Sequence, residues 1–185
     1  MSHLMDVDWS KIPAPQDDGA ANHLKGLKLP SVTLGSTFGG TVDTAELSGL
    51  TVIYIYPRTG RPDQDLPDGW DMIPGARGCT PQSCAFRDHA AELAALGVDH
   101  IFGLSTQSTE YQQEAAERMH LPFALLSDEH LALAEALSLP LFEVEGMQLL
   151  KRMTMVIRDG TIEHLFYPVF PPDRNVADLI TWLKS

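Results

Sequence analysis

The clearest pattern in the chain is the run Thr51-Val-Ile-Tyr-Ile-Tyr56, apolar, β-branched and aromatic throughout and stopped by Pro57. A run without alternation predicts a strand buried on both faces, the kind found inside a mainly parallel sheet. Arg58 to Ile73 follows neither regular period; Pro62, Asp63, Asp65, Pro67, Asp68 and Gly69 punctuate it, and it reads as a long loop. From Cys79 onward Phe86, Ala90, Leu93, Ala94 and Leu96 recur at helical spacing until Gly97, which predicts one helix with both cysteines in its opening turns. A strand over 98–104, a polar amphipathic helix over 108–120, a short strand over 123–126 and a helix over 130–139 continue the alternation, which layers helices on parallel strands. Further on, 152–157 and 161–167 form a predicted hairpin around Arg158-Asp159-Gly160, because Asp-Gly supplies the positive φ of a tight turn. Val176, Leu179, Ile180 and Leu183 mark one face of a closing helix, with Asp173 placed to cap it after Pro171-Pro172. The first 27 residues, with Pro13, Pro15, Asp17, Asp18 and Gly19, show no period and read as an arm without regular structure ahead of a single domain, 28–185.

Composition narrows the functional class. An apolar fraction of 44% with 21% charged residues is that of a globular domain with a substantial core. Thirteen basic against 25 acidic side chains leave a net charge of -12, which argues against nucleic acid and anionic membrane surfaces as partners. No apolar run approaches the ~18 residues of a membrane span. Residues 1–11 contain acidic side chains and no hydrophobic signal segment, so the expected address is the cytoplasm.

The chain has two cysteines, Cys79 and Cys84, too few for a disulfide framework, and in a reducing compartment a close pair points to redox or metal chemistry. Metal is the weaker choice, because no second cysteine pair and no close histidine pair supply the remaining ligands. Two buried structural cysteines are the bland alternative. A free thiol with a pKa of about 8.5 is only about 3% ionised at pH 7, whereas one lowered to about 6 is about 90% ionised. The unpaired N–H groups and positive dipole end at a helix start favour an anion at Cys79, while Cys84 lies more than a turn inside, which makes Cys79 the nucleophile. In so acidic a chain any further stabilisation must be local, and the available cations are Arg58, Arg77, Arg87 and Arg152, the last opening a strand expected beside the helix. Residues five apart in an ideal α-helix have Cα atoms about 8.6 Å apart, beyond the ~7 Å limit of a disulfide, so bonding Cys79 to Cys84 requires the helix between them to unwind.

Strand, cysteine-bearing helix, βα units, hairpin and closing helix form a thioredoxin-like order, and Gly78-Cys79-Thr80-x-x-x-Cys84-x-x-Arg87-Asp88 resembles the GCTxxxCxxRD segment of the peroxiredoxins, in particular the Q subfamily or bacterioferritin-comigratory proteins. The resemblance runs from about Lys28 to the C-terminus, through Tyr56-Pro57, Gly103-Leu-Ser-Thr, Leu121-Pro-Phe-Ala-Leu-Leu-Ser-Asp128, Arg152-Met-Thr-Met-Val-Ile157 and Trp182-Leu183. It implies an α/β, thioredoxin-like fold with a central mixed sheet flanked by helices. It further implies a peroxidatic Cys79, a resolving Cys84 and Arg152 as the positive partner of the thiolate. The implied activity is reduction of hydrogen peroxide or organic hydroperoxides without cofactor or metal, recycled by a thioredoxin-like reductant, in a monomer or homodimer.

The family's PxxxTxxC pattern places a proline seven and a threonine three residues before the cysteine, but Met72 and Ala76 stand there. Pro57, 22 residues before Cys79, is the counterpart of that proline, so about fifteen residues are inserted in the active-site loop, within 58–73. Thr59 is the first candidate to restore the lost hydroxyl and Thr80 the second. Trp70 and Met72 are placed either to line a pocket for larger hydroperoxides or to anchor the loop to the core. Two other classes stay open on the residues: a general thiol-disulfide oxidoreductase, which typically uses Cys-x-x-Cys, and a redox-sensing or partner-binding protein switched by a Cys79-Cys84 disulfide. The scattered histidines read as capping, surface or core residues.

Overall fold

In the computed structural model, which describes residues 2–185, the run that reads as a buried strand is β3 (Leu50–Ile55), all six residues buried and paired on both sides. It belongs to a seven-stranded mixed sheet in the order β2 (Thr41–Asp43), β1 (Thr33–Ser36), β5 (Leu125–Ser127), β4 (His100–Ser105), β3, β8 (Met153–Arg158) and β9 (Thr161–Phe166). β3, β4 and β5 are parallel, and the other neighbours antiparallel. The two-residue alternation of β3 divides the core. Val52, Tyr54 and Tyr56 pack with Phe86 of α2 (Cys79–Asp88), Leu93 of α3 (Ala90–Ala95), Ala115 of α4 (Thr109–Arg118) and Leu179 of α6 (Asn175–Lys184). Ile53 and Ile55 face the other way, onto Leu104, Met153, Met155 and Leu133 and Leu137 of α5 (Ala132–Leu137). Tyr54 stacks on Phe86 at 4.6 Å, and its hydroxyl donates to Ser83 Oγ at 3.0 Å, seating α2 on the sheet. Gly103, beside Tyr54 on β4, has no room for a side chain: a Cβ there would lie 2.5 Å from Leu125 and 2.7 Å from the Tyr54 ring.

The β8–β9 hairpin turns where Asp-Gly stands, with φ of 48° at Asp159 and 83° at Gly160. Gly97, at φ 99°, ends the helical run as expected. That run is nevertheless two helices. His89 leaves helical geometry at ψ 7°, and its Nδ1 lies 2.8 Å from Ala85 O, a side-chain bond that caps α2 and separates it from α3. Asp173 does not cap α6. It sits in a 3-10 turn, Pro172–Arg174, and accepts a bond from Trp9 Nε1 at 3.4 Å.

The first 27 residues, read as lacking regular structure, contain the short α1 (Ser2–Met5) and a 3-10 turn, Trp9–Lys11, whose N-cap is Asp8. Ala21 and Leu24 are buried in the second core. These apolar residues reach the core singly, without a period that sequence reading can detect. A separate hairpin, β6 (Leu141–Val144) with β7 (Met147–Leu150), lies beside the segment 58–73, in which Trp70–Met72 forms a 3-10 turn and Trp70 packs on Phe142.

Candidate active site

α2 begins at Cys79 because Gly78 breaks the chain into it with φ 112° and ψ 19°. A Cβ at Gly78 would also lie 2.6 Å from Trp9 Cη2 and 2.7 Å from Pro172 Cγ, so conformation and packing both require glycine. The first N–H groups of a helix have no intrahelical acceptor, and Pro81, lacking one, fits that first turn.

Cys79 is buried, and its Sγ accepts a hydrogen bond from Arg152 Nη2 at 3.1 Å. Arg152 lies immediately before β8 rather than within it, and is 3% exposed. The guanidinium is clamped on every nitrogen. Nε donates to Gly75 O at 3.2 Å, Nη2 also to Ala76 O at 3.0 Å and Arg77 O at 3.4 Å, and Nη1 to Gln82 Oε1. Gln82 in turn donates from Nε2 to Asn175 Oδ1 at 3.1 Å, which also accepts from Thr154 Oγ1. Gln82, Asn175 and Thr154 are all buried. A cation held by this many acceptors in a low-dielectric site cannot swing away, so the sulfur meets a charge of fixed position.

The Cys84 thiol is free, as is that of Cys79. Burial pushes the Cys84 thiol above its ordinary pKa, against the lowering effect of the nearby Arg87 charge. Of the four arginines weighed from sequence, Arg152 alone bonds a cysteine sulfur among the described residues. Arg87 turns to Asp88 and to Met119 O, both at 2.8 Å, and Arg77 pairs with Asp71 at 3.4 Å. Arg58 donates to Met147 Sδ at 3.3 Å and Tyr111 OH at 3.4 Å, while its Nε is buried with no partner among the described residues.

A narrow cleft over Cys79 is walled by Leu4, Arg58, Gly60, Leu66, Trp70, Arg77 and Thr80, and leaves about 10 Å³ of free space. Thr80 faces this cleft; Thr59 does not. Its hydroxyl donates to Gln107 Oε1 at 3.2 Å, and Gln107 and Tyr111 bind its carbonyl, so Thr59 ties the loop to the start of α4. Trp70 is 3% exposed and packs on Ala76 and Leu149, whereas Met72 is 66% exposed and outside the cleft. Ala76, where the pattern places a hydroxyl, is fully buried against Trp70. Sequence reading missed Gln82, Asn175 and Thr154. Gln82 alone left a signal, a polar residue three after Cys79 on the same helix face.

A family model described as Redoxin matches residues 24–181. Peroxiredoxin Bcp of Escherichia coli (strain K12) is 31% identical over 161 residues, covering 84% of this chain and 92% of the relative. The chain belongs to the peroxiredoxins, in their Q subfamily. Chloroplastic peroxiredoxin Q of Sedum lineare is 28% identical over 185 residues, the whole of this chain and 90% of that one. Among solved structures, peroxidoxin BcpB from Mycobacterium tuberculosis matches with a TM-score of 0.70 at 24% identity, over 88% of this chain and 97% of its own. Xanthomonas campestris peroxiredoxin Q matches with 0.66 at 22% identity, over 85% and 95%. The fold is therefore the thioredoxin-like fold of the peroxiredoxins, and the activity that comes with the family is thiol-dependent peroxide reduction. No helix among the described residues is long and apolar enough to cross a membrane.

Proposed function

We propose that Cys79 is the peroxidatic cysteine of a cofactor-free cycle in which Arg152 holds the thiolate and Cys84 resolves the oxidised product. The observation that carries this reading is the 3.1 Å contact from the clamped Arg152 Nη2 to Cys79 Sγ at the start of α2. A cation positioned in advance stabilises first the thiolate and then the charge developing on the departing oxygen. The thiolate attacks the distal peroxide oxygen in line: an S–O bond forms, the O–O bond breaks, sulfur gives up two electrons, and the leaving oxygen takes a proton to depart as water or alcohol. With Ala76 offering no hydroxyl, the hydroxyl on the cleft wall that can orient the peroxide is that of Thr80.

Cys84 then attacks the sulfenic sulfur, an S–S bond forms and water leaves. Across an intact helical turn the two sulfurs are held apart, so the 79–84 stretch of α2 unwinds for this step. The burial that keeps Cys84 protonated in the folded helix is relieved by the same unwinding, which activates the resolving thiol only when it is needed. A thioredoxin-like dithiol returns both cysteines to the reduced state. Hydrogen peroxide and organic hydroperoxides are the substrate class; the Xanthomonas campestris bacterioferritin comigratory protein, a structural relative at 22% identity, has alkyl peroxide reduction activity. Both thiols and the arginine belong to one chain, so the cycle is complete in a monomer. A cycle that starts from two free thiols suits the reducing cytoplasm. In this reading residues 28–185 are the peroxidase domain, 1–27 an added arm and 58–73 an inserted loop.

The test is the intact mass of the reduced protein after one equivalent of hydrogen peroxide. Wild type loses about 2 Da, Cys79→Ser does not change, and Cys84→Ser accumulates a trappable sulfenic acid. Wild type that stays reduced while peroxide persists overturns the reading.

A further inference from the structure

We infer that Leu4 of the N-terminal arm and Leu66 of the 58–73 loop form a size gate over Cys79 that selects hydrogen peroxide against bulky organic hydroperoxides. The inference builds on the peroxidase reading and names the substrate that site prefers. Leu4 is 4% exposed, and both side chains wall the cleft above the sulfur. They close on Gly60 from the same side: a Cβ there would lie 3.0 Å from Leu66 Cδ2 and 3.1 Å from Leu4 Cδ2. The free space of about 10 Å³ is that of a single water-sized molecule. A peroxide with two oxygens enters with a small displacement of these methyl groups. One with a phenyl or tertiary butyl group on the oxygen requires Leu4 or Leu66 to leave.

The arm is also held by contacts that do not involve Leu4, so shortening that side chain opens the cleft without releasing the arm. Trp9 lies over Gly78 with its ring edge-on to Phe170 at 5.9 Å, and Asp18 accepts bonds from Lys151 Nζ at 2.9 Å and Tyr167 OH at 2.8 Å. Pro15 rests against Gly75, where a Cβ would be 3.5 Å from it.

The experiment measures kcat/KM for cumene hydroperoxide and for hydrogen peroxide in wild type, Leu4→Ala, Leu4→Ala/Leu66→Ala and Gly60→Ala. Leu4→Ala is expected to raise the cumene-to-hydrogen peroxide ratio about tenfold, the usual worth of a few carbon atoms in a tight apolar site. Gly60→Ala, which adds a methyl beneath the two leucines, is expected to lower it. A ratio within about twofold of wild type in both leucine variants overturns the gate. A second readout does not need turnover. In a Cys84→Ser background, the rate at which a bulky maleimide alkylates Cys79, relative to iodoacetamide, rises with Leu4→Ala if the gate exists and stays flat if it does not. Wild type without hydrogen peroxide turnover would defeat the peroxidase reading, while the alkylation ratio still decides the gate.

Discussion

Below the Cys79 sulfur the molecule is polar and saturated, and above it narrow, with two leucines and a tryptophan set beside two arginines and a threonine. The floor is Arg152, held by Gln82 and the carbonyls of Gly75, Ala76 and Arg77, with Asn175 and Thr154 beneath. The apolar part of the roof is Leu4, Leu66 and Trp70, drawn from the N-terminal segment and the loop between β3 and α2, with Arg58, Arg77 and Thr80 beside them. Directional bonds fix where a charge sits and so govern how readily any peroxide reacts. Apolar contacts govern only what reaches the sulfur. A floor variant should therefore slow all peroxides alike, and a roof variant should change their ratio.

Arg152→Met breaks this comparison most severely. It removes the sulfur's donor and leaves Gln82 Oε1 and Ala76 O without their buried partner. We expect kcat/KM to fall about 10²–10³-fold for hydrogen peroxide and cumene hydroperoxide equally, as when one preorganised donor is lost. The chain should lose about 3 kcal/mol of stability in urea melts from the orphaned acceptors. Arg152→Lys keeps the charge without the fork and should fall between the two. If the loss were confined to one peroxide, the floor would be shaping access as well as charge.

Gln82→Ala tests whether Arg152 needs positioning. It frees Nη1 and strips Asn175 of a donor, at a cost of about 1–3 kcal/mol. The expected loss is about tenfold in kcat for every peroxide with KM unchanged, and Gln82→Glu, which keeps an acceptor for Nη1, should recover part of it. A purely structural role would lower stability and leave kcat unchanged.

Ala76→Thr exchanges floor for roof. It restores the hydroxyl that the peroxiredoxin pattern places three residues before the cysteine, but Ala76 is fully buried against Trp70 and Leu149. Overpacking there should cost about 1–3 kcal/mol in stability with no gain in rate, read from paired melts and peroxide assays. A faster enzyme of unchanged stability would mean that the roof yields and that a hydroxyl is what this site lacks.

What the sequence disclosed follows from how each feature is encoded. The placement of Arg152 against Cys79 at the start of α2 was legible because residue type and position relative to a strand and a helix start both point to it. β3 and the Asp159-Gly160 turn were legible because their signals are contiguous. The support under Arg152 was not, since Gln82 and Asn175 are unremarkable alone and meet across 93 positions. The contacts of the N-terminal arm were hidden for a related reason: Leu4, Trp9 and Leu24 are single apolar residues in a segment without period, and each finds its partner by tertiary contact. The break at His89 was masked because the apolar spacing continues through it, while one ring nitrogen near Ala85 O decides the geometry. Thr59, chosen for its closeness to Pro57, spends its hydroxyl on Gln107.

The smallest expected effect concerns the distant anchor of the roof. Hydrogen bonds from Lys151, then from Tyr167, hold the Asp18 carboxyl well below the usual carboxylate range. A carboxyl depressed in the folded state adds stability that is complete above its unfolded pKa, near 3.8, and is lost as pH falls through the folded value. The arm's attachment should thus be constant from neutral pH down to about 4 and loosen only in stronger acid. Because Asp18 is exposed to solvent, its contribution is small and salt-sensitive. Asp18→Asn should speed amide exchange in residues 12–20 at pH 7, abolish the acid dependence of that exchange, and raise the cumene-to-hydrogen peroxide ratio by less than Leu4→Ala does. Equal exchange in the two proteins would show that Trp9 and Leu4 seat the arm without help from Asp18.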